Sequence, residues 1–188
     1  MRILDVGCGN NKTPGAIGLD INRRTQADVI ADLDDPPYLF ADNSFDLIVS
    51  NHVIEHVRNA VAFMEELHRL LRSGGQVRLV TPHYTNPRAY ADPTHRRYLS
   101  LAALDGFTGQ AAELRVSLLG RILETDYPAM DFYSTARFEK VEARLSFGRP
   151  FRYLGVQWLA NRWPRIYEFY LASLFPARDI YLTLQTIK

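Results

Sequence analysis

Four short apolar runs open the chain: RILDVG (2 to 7), AIGLDI (16 to 21), DVIADL (28 to 33) and FDLIVSN (45 to 51). Each is rich in Leu or β-branched residues, is of strand length and ends at Gly, Asp or Asn, so each predicts a buried strand. From Asn59 to Arg72 the period becomes helical. Val61, Met64, Leu67 and Leu71 share one stripe, with Glu65, Glu66, Arg69 and Arg72 largely off it. Asn59 suits the N-cap, and the SGG at 73 to 75 predicts the stop. QVRLVTP (76 to 82) returns to a strand pattern. Strands interleaved with a helix predict one α/β domain with a mainly parallel sheet.

Residues 83 to 135 keep no single period and are rich in His, Tyr, Pro, Thr and Asp, with a helical candidate near 111 to 124. A long irregular stretch inside a compact domain is more often functional than idle, so it is read as a substrate-facing insertion. RFEKVEARLSF (137 to 147) alternates as a one-sided strand, with a slip at 139 to 141. Residues 154 to 175 form an aromatic helical segment interrupted by Pro164, and RDIYLTLQTIK (178 to 188) closes as a strand.

Composition changes this picture only in part. The 188 residues are 47% hydrophobic and 23% charged, as expected of a globular domain. The single cysteine, Cys8, rules out an intrachain disulfide, and neither a signal-peptide pattern nor a run of about 20 apolar residues is present. Cytoplasmic residence is the expectation. Charge is uneven: residues 1 to 57 hold four Lys/Arg against nine Asp/Glu, and the rest eighteen against twelve. Two differently charged ligands would suit such a division, as would chance scatter of surface charge.

The LDVGCGN turn (4 to 10) follows the first strand. Gly7 and Gly9 permit a sharp bend and close approach to a ligand, although a G-x-G pair alone also fits an ordinary turn. The acids narrow the reading. Asp5, Asp20 and Asp32 fall near the C-terminal edge of the predicted sheet, where such folds bind ligands. Asp20 can accept both ribose hydroxyls. Asp5 would repel a pyrophosphate and attract an ammonium and a sulfonium, which together describe S-adenosylmethionine.

LDVGCG, GLDI, ADL, NSFDLIVSNHVIEHV and the helix before RSGGQVRLVTP resemble, in order, the motifs of class I S-adenosylmethionine-dependent methyltransferases. The resemblance implies a Rossmann-like α/β fold of seven strands, mainly parallel with an antiparallel last strand. It also implies S-adenosylmethionine as cofactor, with S-adenosylhomocysteine as product. Gly7 and Gly9 would lie under the methionine part, Asp20 on the ribose, Asp32 and Leu33 beside the adenine, and Asn51 near the methyl group. The full expected binding set is Asp5, Gly7, Cys8, Gly9, Lys12, Asp20, Ile21, Asp32, Leu33 and Asn51, with Lys12 reaching the methionine carboxylate. Two departures stand out: Asn11 replaces the third glycine, and only ten residues separate Gly9 from Asp20. A parallel crossover usually needs about a dozen or more, so the first crossover helix should shrink to a loop or a single turn.

NHVIEHV (51 to 57) contains H-x-x-E-H, a zinc pattern in some peptidases, but here it follows a buried strand rather than lying inside a protease helix. His52, Glu55 and His56 share one face of a turn. Three roles stay open: a proton acceptor for the methyl acceptor, a metal site completed by His83 or His95, or structural pairing. The expected catalytic set is His52, Glu55, His56 and His95, without a metal. In ADPTHRRY (91 to 98), Asp92 and Pro93 form a turn, and Arg96 and Arg97 suit an anion or a solvated surface equally. Tyr84 and Tyr98 would wall the acceptor. The expected acceptor is an oxygen or nitrogen of a small or lipid/glycan-linked molecule, anionic if the basic half serves it. No extended Lys/Arg run suggests nucleic acid. Residues 154 to 175 would pack on the core, on a second copy in a homodimer, or on a membrane surface. The rivals are a catalytically silent S-adenosylmethionine-binding module, a nicotinamide oxidoreductase and a metallopeptidase.

Overall fold

The computed structural model describes residues 1–108 and 133–188; the helical candidate near 111 to 124 lies outside them. The strands are β1 (Ile3–Val6), β2 (Ile17–Asp20), β3 (Val29–Ile30), β4 (Phe45–Asn51), β5 (Leu71–Pro82), β6 (Arg137–Leu145) and β7 (Asp179–Ile187). They form one sheet in the order β3-β2-β1-β4-β5-β7-β6. Strands β1 to β5 pair in parallel, and β7 runs antiparallel to both β5 and β6. The C-terminal ends of β1, β2, β4 and β5 therefore share one edge with the start of β7, where Pro82 pairs with Asp179.

No helix crosses between β1 and β2, or anywhere before residue 60. The first connection is a chain of turns whose polar backbone is satisfied by aspartates. Thr13 N–H donates to Asp5 (2.7 Å), Gly9 N–H to Asp20 (2.8 Å) and Gly18 N–H to Asp28 (2.7 Å). These bonds supply what a helix would have provided internally. Gly18 makes the close packing feasible, because a Cβ there would sit 2.6 Å from Lys12 Cδ and 2.8 Å from Cys8 Sγ. The loop thus lies directly on β2, in the space a crossover helix would need.

Helix α1 (Ala60–Leu70) joins β4 to β5, and Asn59 caps it through bonds from the Val61 and Ala62 N–H groups. Its buried face is Phe63, Met64, Leu67 and Leu70, rotated from the expected stripe. Glu66, expected off the stripe, is buried; it accepts from Tyr38 N–H (2.7 Å) and pairs with Arg69 (2.6 Å). The helix ends at Leu70 rather than Arg72. The glycines instead form an irregularity in β5, where the register jumps from Phe45↔Leu71 to Leu47↔Gln76. A Cβ at Gly75 would stand 2.9 Å from the Arg72 carbonyl oxygen.

Strand β3 pairs over two residues, not the six expected. Beyond it Asp32 turns the chain, accepting from Asp34 N–H through its side chain and from Asp35 N–H through its carbonyl. In β6 the slip in alternation is a bulge: the register shifts between Lys140 and Glu142, and Val141 is exposed. The stretch after β5 holds helix α2 (Pro87–Ala91), capped by Asn86. It also sends Ala89, Leu101, Leu104 and Phe107 into the core, so residues 83–108, the first described part of the segment read as an insertion, join the domain's packing.

After β6 come α3 (Arg149–Tyr153), α4 (Val156–Arg162), α5 (Pro164–Ile166) and a π-turn over Tyr167–Leu171, with Pro164 breaking the run as expected. Asn161 on α4 bonds both the N–H and the carbonyl of Leu145, fastening this segment to the end of β6. No helix among the described residues is long and apolar enough to cross a membrane.

Candidate functional site

Two clefts meet at the C-terminal edge of the sheet. The first, of about 320 Å³, is lined by Gly7, Asp20, Ile21, Asp32, Leu33, Asp34, His52, Val53, His56 and Val57. The second, of about 630 Å³, is lined by His52, His56, Pro82, Asn86, Arg88, Ala91, Asp92, Pro93, His95 and Asp179. His52 and His56 belong to both and form the wall between them.

The first cleft begins where β1 gives way to Gly7. Its φ of +67° is a left-handed conformation, and an added Cβ would lie 2.4 Å from Val53 Cγ2. Only glycine combines that bend with such contact against the opposite wall. Asp20 ends β2, with one oxygen accepting from Gly9 N–H and the other from Asn22 N–H (both 2.8 Å). Its carboxylate is thereby fixed at the cleft, with lone pairs left for a ligand's hydroxyls. Ile21, Leu33, Val53 and Val57 supply apolar walls suited to a flat heterocycle. Asp32 and Asp34 border it, and Arg58 pairs with Asp34 (3.0 Å) and more distantly with Asp32 (3.9 Å). Burial raises the Asp34 carboxyl, but bonds from the Arg58 backbone and guanidinium outweigh it and hold the group below the usual range.

Other expected cofactor residues lie elsewhere. Asp5 is buried, with an oxygen committed to Thr13 N–H, and Lys12 Nζ makes a two-oxygen contact with Asp28 (2.9 and 2.8 Å). Neither lines the cleft: both hold the turn from behind. Cys8 is buried under the same turn, where burial, with the Asp20 and Asp5 carboxylates, pushes its thiol up. Gly9 enters through its N–H bond to Asp20, and Asn51 ends β4, exposed, immediately before His52. Asp34, Val53 and Val57 were not anticipated; the repeated acid in ADLDD was the available signal for the first.

The dividing wall is built on a constrained turn. His52 has a φ of +55°, uncommon for a side chain with a Cβ, and donates its N–H to the Val80 carbonyl (2.8 Å). Its Nδ1 lies 3.2 Å from Glu55 Oε1, and the Thr81 hydroxyl donates to Glu55 Oε2 (2.9 Å). Glu55 is 1% exposed, so this pairing is shielded. The hydrogen bond to Glu55 raises the His52 imidazole above its usual value, against the opposing effect of burial.

The second cleft takes its far wall from residues 86 to 95. His56 Nδ1 meets the Thr94 hydroxyl (2.9 Å), which donates to Asp92 (2.6 Å), and His95 Nδ1 meets the Ala89 carbonyl (2.7 Å). The rings of His56 and His95 stand edge to face, 4.6 Å apart. Three sequence expectations require correction here. Arg97 is neither solvated nor on an anion: its guanidinium donates to the carbonyls of Ile54 (2.7 Å), Val57 (2.6 Å) and Arg58 (3.0 Å), clamping the 53 to 58 turn. His83 is fully buried and pairs with Glu168 (3.1 Å), away from the cleft, because Glu168 also ties down Leu101 N–H. Tyr84 bonds the Glu168 carbonyl and Tyr98 stacks on Tyr90 (4.3 Å), so neither walls the second cleft. Arg88 and Asp179, which do, had no sequence signal beyond their charge.

Residues 4–79 match the family described as a methyltransferase domain. No curated protein matches the chain. The fold is similar to that of an S-adenosylmethionine-dependent methyltransferase from Mesorhizobium loti (16% identity, 98% of this chain and 90% of that one, TM-score 0.54). It is also similar to a candidate methyltransferase of Bacillus halodurans C-125 (15% identity, 98% and 91%, TM-score 0.55) and to the YcgJ protein of Bacillus subtilis (14% identity, 100% and 92%, TM-score 0.53). At these identities the likeness is one of fold.

Proposed function

We propose, on the premise that the chain is a class I S-adenosylmethionine-dependent methyltransferase by its domain and fold, that it methylates an oxygen or nitrogen of a polar acceptor held in the second cleft. The observation that carries this reading is the shared wall: His52 and His56 line both the apolar cleft behind Gly7 and the polar cleft beside it.

S-adenosylmethionine would supply a methyl carbon already activated by its sulfonium. The chain's part is to bind, align and manage one proton. Gly7 lets the ligand approach the backbone, Asp20 receives the ribose hydroxyls, and Leu33 and Val57 flank the adenine. In the second cleft, Asn86, Arg88, Asp92, His95 and Asp179 offer donors and acceptors at several points, a pattern that suits a polyhydroxylated, glycan-type acceptor. His52, oriented by Glu55, would take the proton of the acceptor atom as that atom received the methyl group, with S-adenosylhomocysteine leaving with the carbon–sulfur electron pair.

A lipid-linked form of that acceptor is favoured by one surface. Tyr153 at the end of α3, Leu154 just after it and Trp158 on α4 are 87%, 73% and 67% exposed, and a groove there is lined by Arg152 and Arg162. Exposed aromatic and aliphatic side chains set among arginines fit an anionic lipid interface. The segment is tied to the site edge through Asn161 and Leu145, and through Glu168 and His83.

Calorimetric titration of S-adenosylhomocysteine against NAD(H), followed by transfer of labelled methyl groups to pools of glycans and glycolipids, tests the reading. Binding of S-adenosylhomocysteine and label in one pool support it. Binding without label in any pool would favour a silent binding module, and preference for NAD(H) would overturn the proposal.

A further inference from the structure

We propose that Glu55, His56 and His95 form a binding site for a divalent transition-metal ion on the floor of the second cleft, although the sequence had pointed to a metal-free site. One candidate ligand atom from each of these residues lies within 4.8 Å of the others. Bonds of about 2.1 Å to imidazole nitrogen and carboxylate oxygen would draw such a triangle together by small side-chain movements.

The outer contacts make this more than a chance cluster. Metal-bound histidines are typically held by a bond on the other ring nitrogen to a carboxylate, a hydroxyl or a backbone carbonyl, which fixes both tautomer and direction. Both histidines have that arrangement. His95 Nδ1 is taken by the Ala89 carbonyl at 2.7 Å, leaving Nε2 as its coordinating nitrogen. His56 Nδ1 meets Thr94 Oγ1 at 2.9 Å, and because that hydroxyl donates onward to Asp92 Oδ1 at 2.6 Å, it is free to accept from the imidazole. This too leaves Nε2. Glu55 is held by the Thr81 hydroxyl on Oε2 at 2.9 Å and by His52 Nδ1 on Oε1 at 3.2 Å, and each oxygen keeps a further lone pair for an ion. The segments that meet here, 55 to 56 and 92 to 95, are fastened together by the bond from Arg96 N–H to the Glu55 carbonyl (2.8 Å) and by the three carbonyl contacts of Arg97.

Two imidazoles that line an open cleft, with one buried carboxylate behind them, leave coordination positions for water or a substrate oxygen on the cleft side. The donor set favours Zn²⁺, Co²⁺ or Mn²⁺ over Mg²⁺, which prefers an all-oxygen shell. Bound there, the ion would hold and polarise a hydroxyl of the acceptor. That role rests on the methyl-transfer reading, whereas binding of the ion does not.

The test is titration of the full chain, freed of metal with a chelator, using Zn²⁺ by calorimetry and Co²⁺ by visible absorbance, with Mg²⁺ as comparison. The expected result is one equivalent of Zn²⁺ and a Co²⁺ absorption band. His95→Ala should weaken Zn²⁺ binding at least tenfold, Thr94→Val several-fold, and His68→Ala, which contacts the Ile187 carbonyl at the opposite end of β7, not at all. Binding of S-adenosylhomocysteine to His95→Ala, measured in parallel, reports folding and the cofactor cleft separately. No saturable Zn²⁺ binding, or the same affinity in wild type, His95→Ala and Thr94→Val, would overturn the site while leaving the methyltransferase reading intact.

Discussion

His52 and Glu55 stand three residues apart on one turn, and their side chains meet at 3.2 Å with the carboxylate buried and the imidazole half exposed. The pairing raises the His52 imidazole above 6.5. A raised folded value means that the pair stabilises the protein fully below the unfolded pKa and loses that contribution as pH rises through the folded one. Thermal denaturation of wild type and His52→Asn, a replacement that tolerates the left-handed backbone, should therefore differ most below pH 6.5 and converge at higher pH. A constant difference across the range would exclude the linkage.

On the proposed methyl-transfer reading, the same pair would set the pH profile of turnover. His52 must be neutral to accept a proton, so kcat should rise with pH through a value above 6.5. Glu55→Gln removes the charge that raises it. The inflection should move to lower pH and kcat should fall by about 10²-fold, within the usual range for a lost acid–base partner. Affinity for S-adenosylhomocysteine should change far less; a parallel collapse in cofactor binding would recast Glu55 as scaffolding.

Asp20 carries two backbone N–H bonds and faces the apolar cleft. Asp20→Ala should weaken S-adenosylhomocysteine at least tenfold, since a hydrogen bond to a charged group contributes about 1.5–3 kcal/mol. Calorimetry on both proteins checks this. Equal affinities would refute the ribose contact.

Three glycines with contrasting surroundings predict a graded series. Gly7→Ala meets Val53 at 2.4 Å in a left-handed conformation, and Gly18→Ala meets Lys12 and Cys8, whereas Gly15, also left-handed, has nothing within 4 Å. Gly15→Ala should cost about 1 kcal/mol from backbone conformation alone. Gly18→Ala should cost about 1–3 kcal/mol as the loop is pushed off β2, and Gly7→Ala should lose the most. Denaturant midpoints would rank them, and a Gly15→Ala protein as unstable as Gly7→Ala would contradict the contact argument.

The surface around Trp158 should bring the chain to anionic bilayers. Co-sedimentation is expected with phosphatidylglycerol-containing vesicles and not with phosphatidylcholine alone, and it should be reduced by Trp158→Ser with Leu154→Ser. If light scattering instead shows a dimer that the double variant dissolves, a second copy of the chain occupies the surface.

Much of this fold can be read along the chain because the signals are local. Apolar runs of strand length mark β1 and β4, period-3.6 patterning marks α1, the bulge of β6 is visible as a slip in alternation, and the ten residues after Gly9 are too few for a crossover helix whatever surrounds them. The polar side chains followed no such rule. Asp5 and Lys12 were read as facing a ligand and Arg97 as facing either an anion or solvent, yet each binds backbone groups or a neighbouring carboxylate, because a loop lying on a sheet must satisfy its N–H and C=O groups from whatever lies nearest. Likewise, Glu55 and His56 come beside Thr94 and His95 through bonds that span some forty positions of sequence, from Arg96 N–H to the Glu55 carbonyl and from Arg97 to the Ile54 and Val57 carbonyls. Steric and periodic preferences belong to short stretches and are written in the sequence. Which charged group ends in a cleft and which in a clamp depends on desolvation and on non-local partners, and only the folded chain decides it.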